Sequence, residues 1–446
     1  MIGQQKFTLQ MYDLCYIQGS YITYIYALFQ LLVEVKPQIV TDKPDLRYAH
    51  TATLIDDKIY MLGGGIPPRT NSIPPKETFL CLDVSTPFNT SEVNYIDILN
   101  NIVPPHRYAI AIKGGANNST LFLYGGEVIG NQTMALVYTY DAQHDTWSVP
   151  NIIGTPPVGR EFMFPVINYN GLFYMFGGSA GGVFVSDMFI LDTIHFNWYK
   201  ASSTFAPSNR DGYGAVFLPN KNIIYIGGFN GQSGWLPMNQ VFLYDTTKDL
   251  WESKSTDGRV PSARAAFSAV LGLDAQRVII FGGDTSATSN NFLSPEDALY
   301  FLDLNNFTWD IPKISGKIPS SRTFHRSLVI GKYMVVTFGA GYTRDEDNDI
   351  LLLDISNNDE YVWTTSFVPQ SLTSQPQSPI PQPSSQSITN TNTNSIGIAI
   401  GVSIGIIGGI ALTVGSFFLY KQYKNRKEQR IAIPTPGNEG IRKERV

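Results

Sequence analysis

The sequence predicts an all-β chain built as a six-bladed β-propeller, followed by one C-terminal transmembrane helix. Three observations carry this reading. A glycine pair or its near relative closes six β-rich runs, at Gly63-Gly64, Gly125-Gly126, Gly177-Gly178, Gly227-Gly228, Gly282-Gly283 and Gly339-Ala340-Gly341. They recur every 50 to 62 residues, a period that marks propeller blades rather than independent domains. The same few residue types frame every pair. Finally, the 25 residues from Ile396 to Tyr420 carry no charge.

In chain order, residues 1–37 read as a signal peptide or signal anchor. Tyr21 to Val33 is an apolar run of the length such a segment needs. Lys6 is the sole upstream base and Asp13 intervenes, so a start at Met11 fits the pattern better. Cleavage near Val35 to Gln38 is expected; an uncleaved anchor or a first propeller strand are the alternatives.

Residues 44–367 carry the repeats. An arginine stands 16 to 18 residues before each glycine pair: Arg47, Arg107, Arg160, Arg210, Arg264 and Arg322. An aspartate follows each pair: Asp83, Asp141, Asp192, Asp245, Asp303 and Asp354. Six residues after four of these comes Trp147, Trp198, Trp251 or Trp309; the last repeat stretches to Trp363, and in the first Asn89 stands where the aromatic is expected. Runs such as Lys58 to Leu62 and Asn222 to Ile226 are short and apolar, as buried strands require. A glycine pair at a strand end permits backbone angles or close approaches that a side chain blocks. Tryptophan suits packing between sheets. A recurrent arginine is expected to bond nearby carbonyls or acids, because a lone buried charge is costly. His50, His325 and His106 fall beside repeat arginines and read as strand residues rather than ligands.

The ordered set of arginine, glycine pair, aspartate and aromatic resembles the kelch repeat over nearly three quarters of the chain. The resemblance implies four antiparallel strands per blade around a central channel, each blade starting at its arginine segment and ending after its tryptophan. Six blades result; a seventh from the N-terminal residues stays open, although that segment lacks a glycine pair.

Residues 368–395, rich in Ser, Pro, Gln, Thr and Asn, read as a disordered stalk. The charge-free run at 396–420 spans about 37 Å as a helix, enough for a hydrocarbon core of about 30 Å. The tail at 421–446 opens with Lys421, Lys424, Arg426, Lys427 and Arg430, a pattern that favours the cytoplasmic side. The propeller is then expected on the extracellular or lumenal side of a plasma or secretory-pathway membrane. Sequons at Asn89, Asn117, Asn118, Asn131 and Asn306 agree with that placement. Positive charge concentrates in the tail, which argues against nucleic-acid binding by the propeller. Gly397, Gly401, Gly405 and Gly409 form a small-residue stripe that would suit helix association and a homodimer.

Function is expected in the segments after each glycine pair: 66–77, 127–135, 179–187, 229–240, 284–297 and 342–349. Equivalent loops of successive blades collect on one face, and loops on a rigid scaffold commonly bind. That face would offer Arg69, Glu127, Phe229, Trp235, Phe292, Tyr342 and Arg344. Trp235 lies outside the blade pattern; it would stack on a ligand or cap a neighbouring loop. Asp345, Glu346, Asp347 and Asp349 read as a solvated acidic loop, since calcium-loop spacing is absent.

Extracellular kelch-like propellers include copper oxidases similar to galactose oxidase. Their histidine, tyrosine and cysteine set is not matched here: Cys15 falls in the targeting segment and Cys81 in a strand pattern. No cofactor, metal site or catalytic residue is therefore assigned. The expected function is a membrane-anchored receptor or adhesion module that binds a protein or a glycan. An extracellular carbohydrate-active or oxidase-like enzyme and a tethered cytoplasmic adaptor are the alternatives.

Overall fold

The structure is a computed structural model and describes residues 38–39, 43–69, 73–100, 102–285 and 292–370. The targeting segment at 1–37, the stalk beyond 370, the 396–420 run with its glycine stripe, and the basic tail lie outside the described residues. Among the described residues no helix is long and apolar enough to cross a membrane.

Each repeat folds into one sheet of four antiparallel strands that run in order from the axis outward, and Asp257–Gly258 and Ile314–Ser315 add a short parallel strand outside blades 5 and 6. The first strands are Thr51–Ile55, Ile110–Gly114, Val166–Ile167, Gly214–Phe217, Ser268–Leu271 and Arg326–Ile330. They contact one another in a closed cycle, blade 6 against blade 1 included. Six blades result. Gln38–Ile39 adds a short outer strand to blade 1, paired with Asp97 and Ile96.

Six apolar cores fill the six spaces between blades, so each sheet is buried on both faces. Trp147, Trp198, Trp251, Trp309 and Trp363 each pack against the preceding blade, in register with the residue before the repeat aspartate. In blade 1 that register position belongs to Tyr95, opposite Leu82 and buried in the core shared with blade 6. The aromatic is thus displaced rather than missing. The inserted residues carry Phe88–Asn89, which pairs with Ser366–Phe367; Phe88 stacks on Phe367 at 4.8 Å. This clasp ties blade 1 to the end of blade 6.

The repeat aspartates cap the turns between third and fourth strands. Asp245 accepts from the backbone N–H groups of Thr247 and Lys248, and Asp192 from those of Ile194 and His195. The Thr247 hydroxyl and the Lys248 ammonium, with these N–H groups, hold Asp245 below the usual carboxylate range; at Asp192 burial pushes the carboxyl up, but the bonds from His195 and Ile194 outweigh it.

The glycine pairs join blades. Gly126 N–H donates to the Arg160 carbonyl at 2.8 Å. A Cβ on Gly125, where φ is 65°, would lie 2.2 Å from that oxygen. In blade 6 the equivalent bond runs from Gly339 N–H to the Arg47 carbonyl at 2.9 Å. Phe338 therefore takes the first-glycine position, at φ 45°. The pair there is Phe338-Gly339, one residue earlier than the sequence suggests.

Four of the arginines bond to carbonyls. Nη1 of Arg160 donates to Gly177 O at 3.1 Å, that of Arg210 to Gly227 O at 3.1 Å, and that of Arg322 to Phe338 O at 3.3 Å. Arg264 reaches both Gly282 O and Asp297 O. Arg47 is buried over the Phe338 ring with Glu77 3.8 Å away. Blade 2 departs from the pattern. The carbonyl that receives Gly64 N–H is that of His106. His106 fills the seat, and its Nδ1 donates to Pro104 O at 2.8 Å, as Arg264 Nε donates to Ser262 O. Arg107, read from sequence as the repeat arginine, is one residue out of register and points to the site described next.

Candidate functional site: the mouth of the channel

The residue after each seat forms an antiparallel bridge with the residue after each glycine pair. The six bridges join Tyr48 to Gly65, Arg107 to Glu127, Glu161 to Ser179, Asp211 to Phe229, Ala265 to Asp284 and Thr323 to Ala340. They ring one end of the axis. One residue on, Ala49, Tyr108, Phe162, Gly212, Ala266 and Phe324 all have φ between 54° and 61°. This places each N–H against the carbonyl of the preceding blade, and six such bonds of 2.7–3.1 Å close a ring around the axis.

Aromatic side chains shut the channel at this ring. Tyr108 stacks on Phe162 at 3.8 Å, and Phe324 meets both edge-on at 5.5 and 5.9 Å. Beneath them is a cavity of about 20 Å³, lined by Met163, Phe164, Phe267 and Arg326 among others. That is room for roughly one water. A ligand would sit on the mouth, not in the bore.

Five of the seven residues expected to bind meet here in one network. Glu127 accepts from Arg107 Nε at 2.7 Å. Arg107 Nη1 donates to the Tyr48 hydroxyl at 2.7 Å, and that hydroxyl donates to Arg69 O at 3.1 Å. Arg69 Nη1 donates to Asp284 Oδ2 at 2.9 Å, and Trp235 Nε1 to Asp284 Oδ1 at 3.1 Å. Arg69 also lies over the Phe292 and Phe324 rings. Phe229 and Trp235 face each other across a short hairpin at 5.2 Å. Trp235 therefore reaches from blade 4 to blade 5.

Tyr342 and Arg344 are not in this network. Tyr342 is buried over the Arg322 guanidinium and donates to Asp349. Arg344 bonds Asp349 and the Pro44 carbonyl, beside a rim cleft of about 270 Å³ that includes Thr90 and Lys317. Nor is the acidic loop wholly solvated. Asp347 and Asp349 are buried, and Asp347 accepts from Ser320 N–H at 2.7 Å. Among the described residues no three His, Cys, Asp or Glu side chains converge as metal ligands. Cys81 is buried in a blade core, which pushes its thiol up to about 12.

Sequence reasoning missed the acids Glu161, Asp211 and Asp284. With Glu127 they place one carboxylate on the mouth from each of blades 2 to 5. Glu127 and Asp284 have arginine partners. Asp211 is 8% exposed, and its carboxylate accepts no hydrogen bond among the described residues. Burial, then the charges of Glu161 and Asp284, push it up to about 8. Glu161 is raised by burial and by Glu127, against the Ser179 hydroxyl and Arg107. The available signal was an acid directly after a repeat arginine, in Arg160-Glu161 and Arg210-Asp211.

Comparison with known proteins places this architecture. The KLHDC2/KLHL20/DRC7 Kelch-repeats domain matches residues 49–283 and 236–401, most of the chain. The chain belongs to the kelch-repeat family. Kelch domain-containing protein 3 of Rattus norvegicus is 24% identical over 67% of this chain and 79% of its own length. Multiple epidermal growth factor-like domains protein 8 of the same species is 25% identical over 57% of this chain, which spans 9% of that protein. Acyl-CoA-binding domain-containing protein 4 of Arabidopsis thaliana is 24% identical over 48% of this chain and 32% of its own length. The kelch propeller is an architecture that suits protein binding through its loops.

Proposed function

We propose that this kelch protein is a membrane-anchored binding protein that docks a protein partner on the channel mouth, with the propeller on the extracellular or lumenal side. The observation that carries the docking surface is the convergence of loops from several blades on one face, where the buried carboxylates of Asp211 and Asp284 stand beside the half-buried rings of Phe229, Trp235 and Phe292. Such loops on a rigid scaffold are the usual seat of recognition. The membrane placement draws on the charge-free run at 396–420 and the basic residues after it. All five sequon asparagines are exposed. Asn117, Asn118 and Asn306 lie in turns at the end opposite the mouth, and Asn89 lies in the rim clasp. Glycans there would leave the mouth clear; Asn131 alone belongs to a mouth loop.

Affinity capture with the full chain tests this. Trp235→Ala and Arg69→Ala should each lower partner recovery at least tenfold, while Thr247→Ala, at the opposite end, should not. Equal recovery from all three contradicts the docking face. N-glycosidase should lower the apparent mass; no shift would favour a tethered cytoplasmic orientation instead.

A further inference from the structure

One half of the mouth already holds an arginine. Arg69 lays its guanidinium over Phe324 at 5.1 Å and Phe292 at 5.7 Å, and donates to Asp284 at 2.9 Å. A planar, weakly hydrated cation between a carboxylate and aromatic faces is a favourable arrangement for guanidinium.

The other half repeats these parts. Asp211 and Phe229 exchange both backbone hydrogen bonds at 2.9 Å, so their side chains leave the ladder on the same side. Phe229 is flanked by Trp235 at 5.2 Å and Phe184 at 5.8 Å. Glu161 sits one blade back, close enough to oppose ionisation of Asp211. The cation whose charge acts on Glu161, Arg107, is held by Glu127 and the Tyr48 hydroxyl. No arginine or lysine among the described residues forms an ion pair with Glu161 or Asp211. Asp211 is more than nine-tenths buried, accepts no hydrogen bond, and still keeps its oxygens in contact with solvent at the mouth. A buried carboxylate without a partner opposes folding, so a sequence gains nothing in stability by keeping one there.

We propose that Glu161 and Asp211, walled by Phe229 and Trp235, receive an arginine side chain presented by a partner polypeptide, as Asp284, Phe292 and Phe324 hold Arg69. The proposal rests on the mouth being the docking face and names the chemistry that the face recognises. Arginine is favoured over lysine because its fork can bond a carboxylate with two N–H groups while its plane lies on a ring.

A random dodecapeptide library panned against the detergent-solubilised full chain tests it. Recovered peptides should share an arginine. Replacing it with citrulline, which keeps the shape and removes the charge, should weaken binding at least tenfold. Asp211→Asn should weaken the arginine peptide by a similar factor and make the chain indifferent to citrulline; Glu161→Gln, judged separately, guards against a folding defect in either variant. Peptides lost on Trp235→Ala yet indifferent to citrulline would overturn the arginine site and leave the docking face standing. Equal binding of arginine and lysine peptides would overturn the guanidinium specificity. Recovery of no peptide, or of peptides indifferent to Trp235→Ala and Asp211→Asn alike, would overturn both.

Discussion

Blades 3 to 5 and blades 6, 1 and 2 are two versions of the same scaffold. In the first group each position holds the residue the repeat prescribes: Arg160, Arg210 and Arg264 in their seats, the glycine pairs at positive φ, and Trp198, Trp251 and Trp309 against the preceding blade. In the second group three positions are refilled. Phe338 stands for a first glycine, Tyr95 for a tryptophan and His106 for an arginine. Two of the replacements touch: Phe338 packs on Tyr95 at 5.9 Å and lies beneath Arg47. The irregular group is also where the ring closes, through the clasp of Phe88 on Phe367. The contrast shows that the seat, defined by backbone bonds between blades, matters more than the residue type that fills it. It also separates the two mouth arginines from their scaffold counterparts. Arg69 and Arg107 both come from the irregular blades and bond side chains at the mouth, whereas the seat arginines Arg160, Arg210, Arg264 and Arg322 each donate to the carbonyl at their own blade's first-glycine position.

The contrast can be broken or sharpened by substitution. The largest effect should come from Arg264→Ala. It empties the seat of a fully buried side chain and removes the donors to the Gly282 and Asp297 carbonyls, while the Asp297 carboxylate keeps Ser262 and Tyr300, at a cost of about 3–5 kcal/mol. Denaturant unfolding of the full chain should read this as a shifted midpoint. His106→Ala should cost less, about 1–3 kcal/mol, because a neutral ring with one carbonyl partner leaves no buried charge behind. Equal losses would contradict the argument that the arginine seat leaves more unsatisfied partners behind than the histidine seat does.

A third effect has the opposite sign and is smallest at low pH. Asp211→Asn should stabilise the propeller, by an amount that depends on pH. The folded carboxyl titrates at about 8, above its unfolded value of 3.8. The folded state therefore binds the proton more tightly, and the parent's stability falls as pH rises from about 4 to 8. Asparagine has no such dependence. The gain in melting temperature from Asp211→Asn should be small near pH 4, widen toward pH 8 and level off above it. A constant difference across that range would show that Asp211 titrates normally.

Much of the scaffold was legible because propeller blades repeat locally: glycine pairs, aspartate caps and tryptophans recur at near-constant spacing. The refilled seats were not legible. Arg107 sits beside His106, and only the bond from Gly64 shows which of the two lies in the seat. Tyr95 is displaced by the clasp insertion, so spacing alone pointed to Asn89. The mouth was half legible. Loop position brought out Arg69, Glu127, Phe229, Trp235 and Phe292, but wrongly grouped Tyr342 and Arg344 with them. Glu161 and Asp211 were hidden because they adjoin scaffold arginines, and their convergence depends on neighbouring blades rather than on neighbours in sequence.

The central claim, that the mouth is the docking face and the remainder is scaffold, is tested most directly by hydrogen–deuterium exchange of the full chain with and without a captured partner. Protection is predicted in residues 127–135, 179–187 and 229–240. Protection confined to the turns at the opposite end, around residues 141–146 and 245–250, would contradict it.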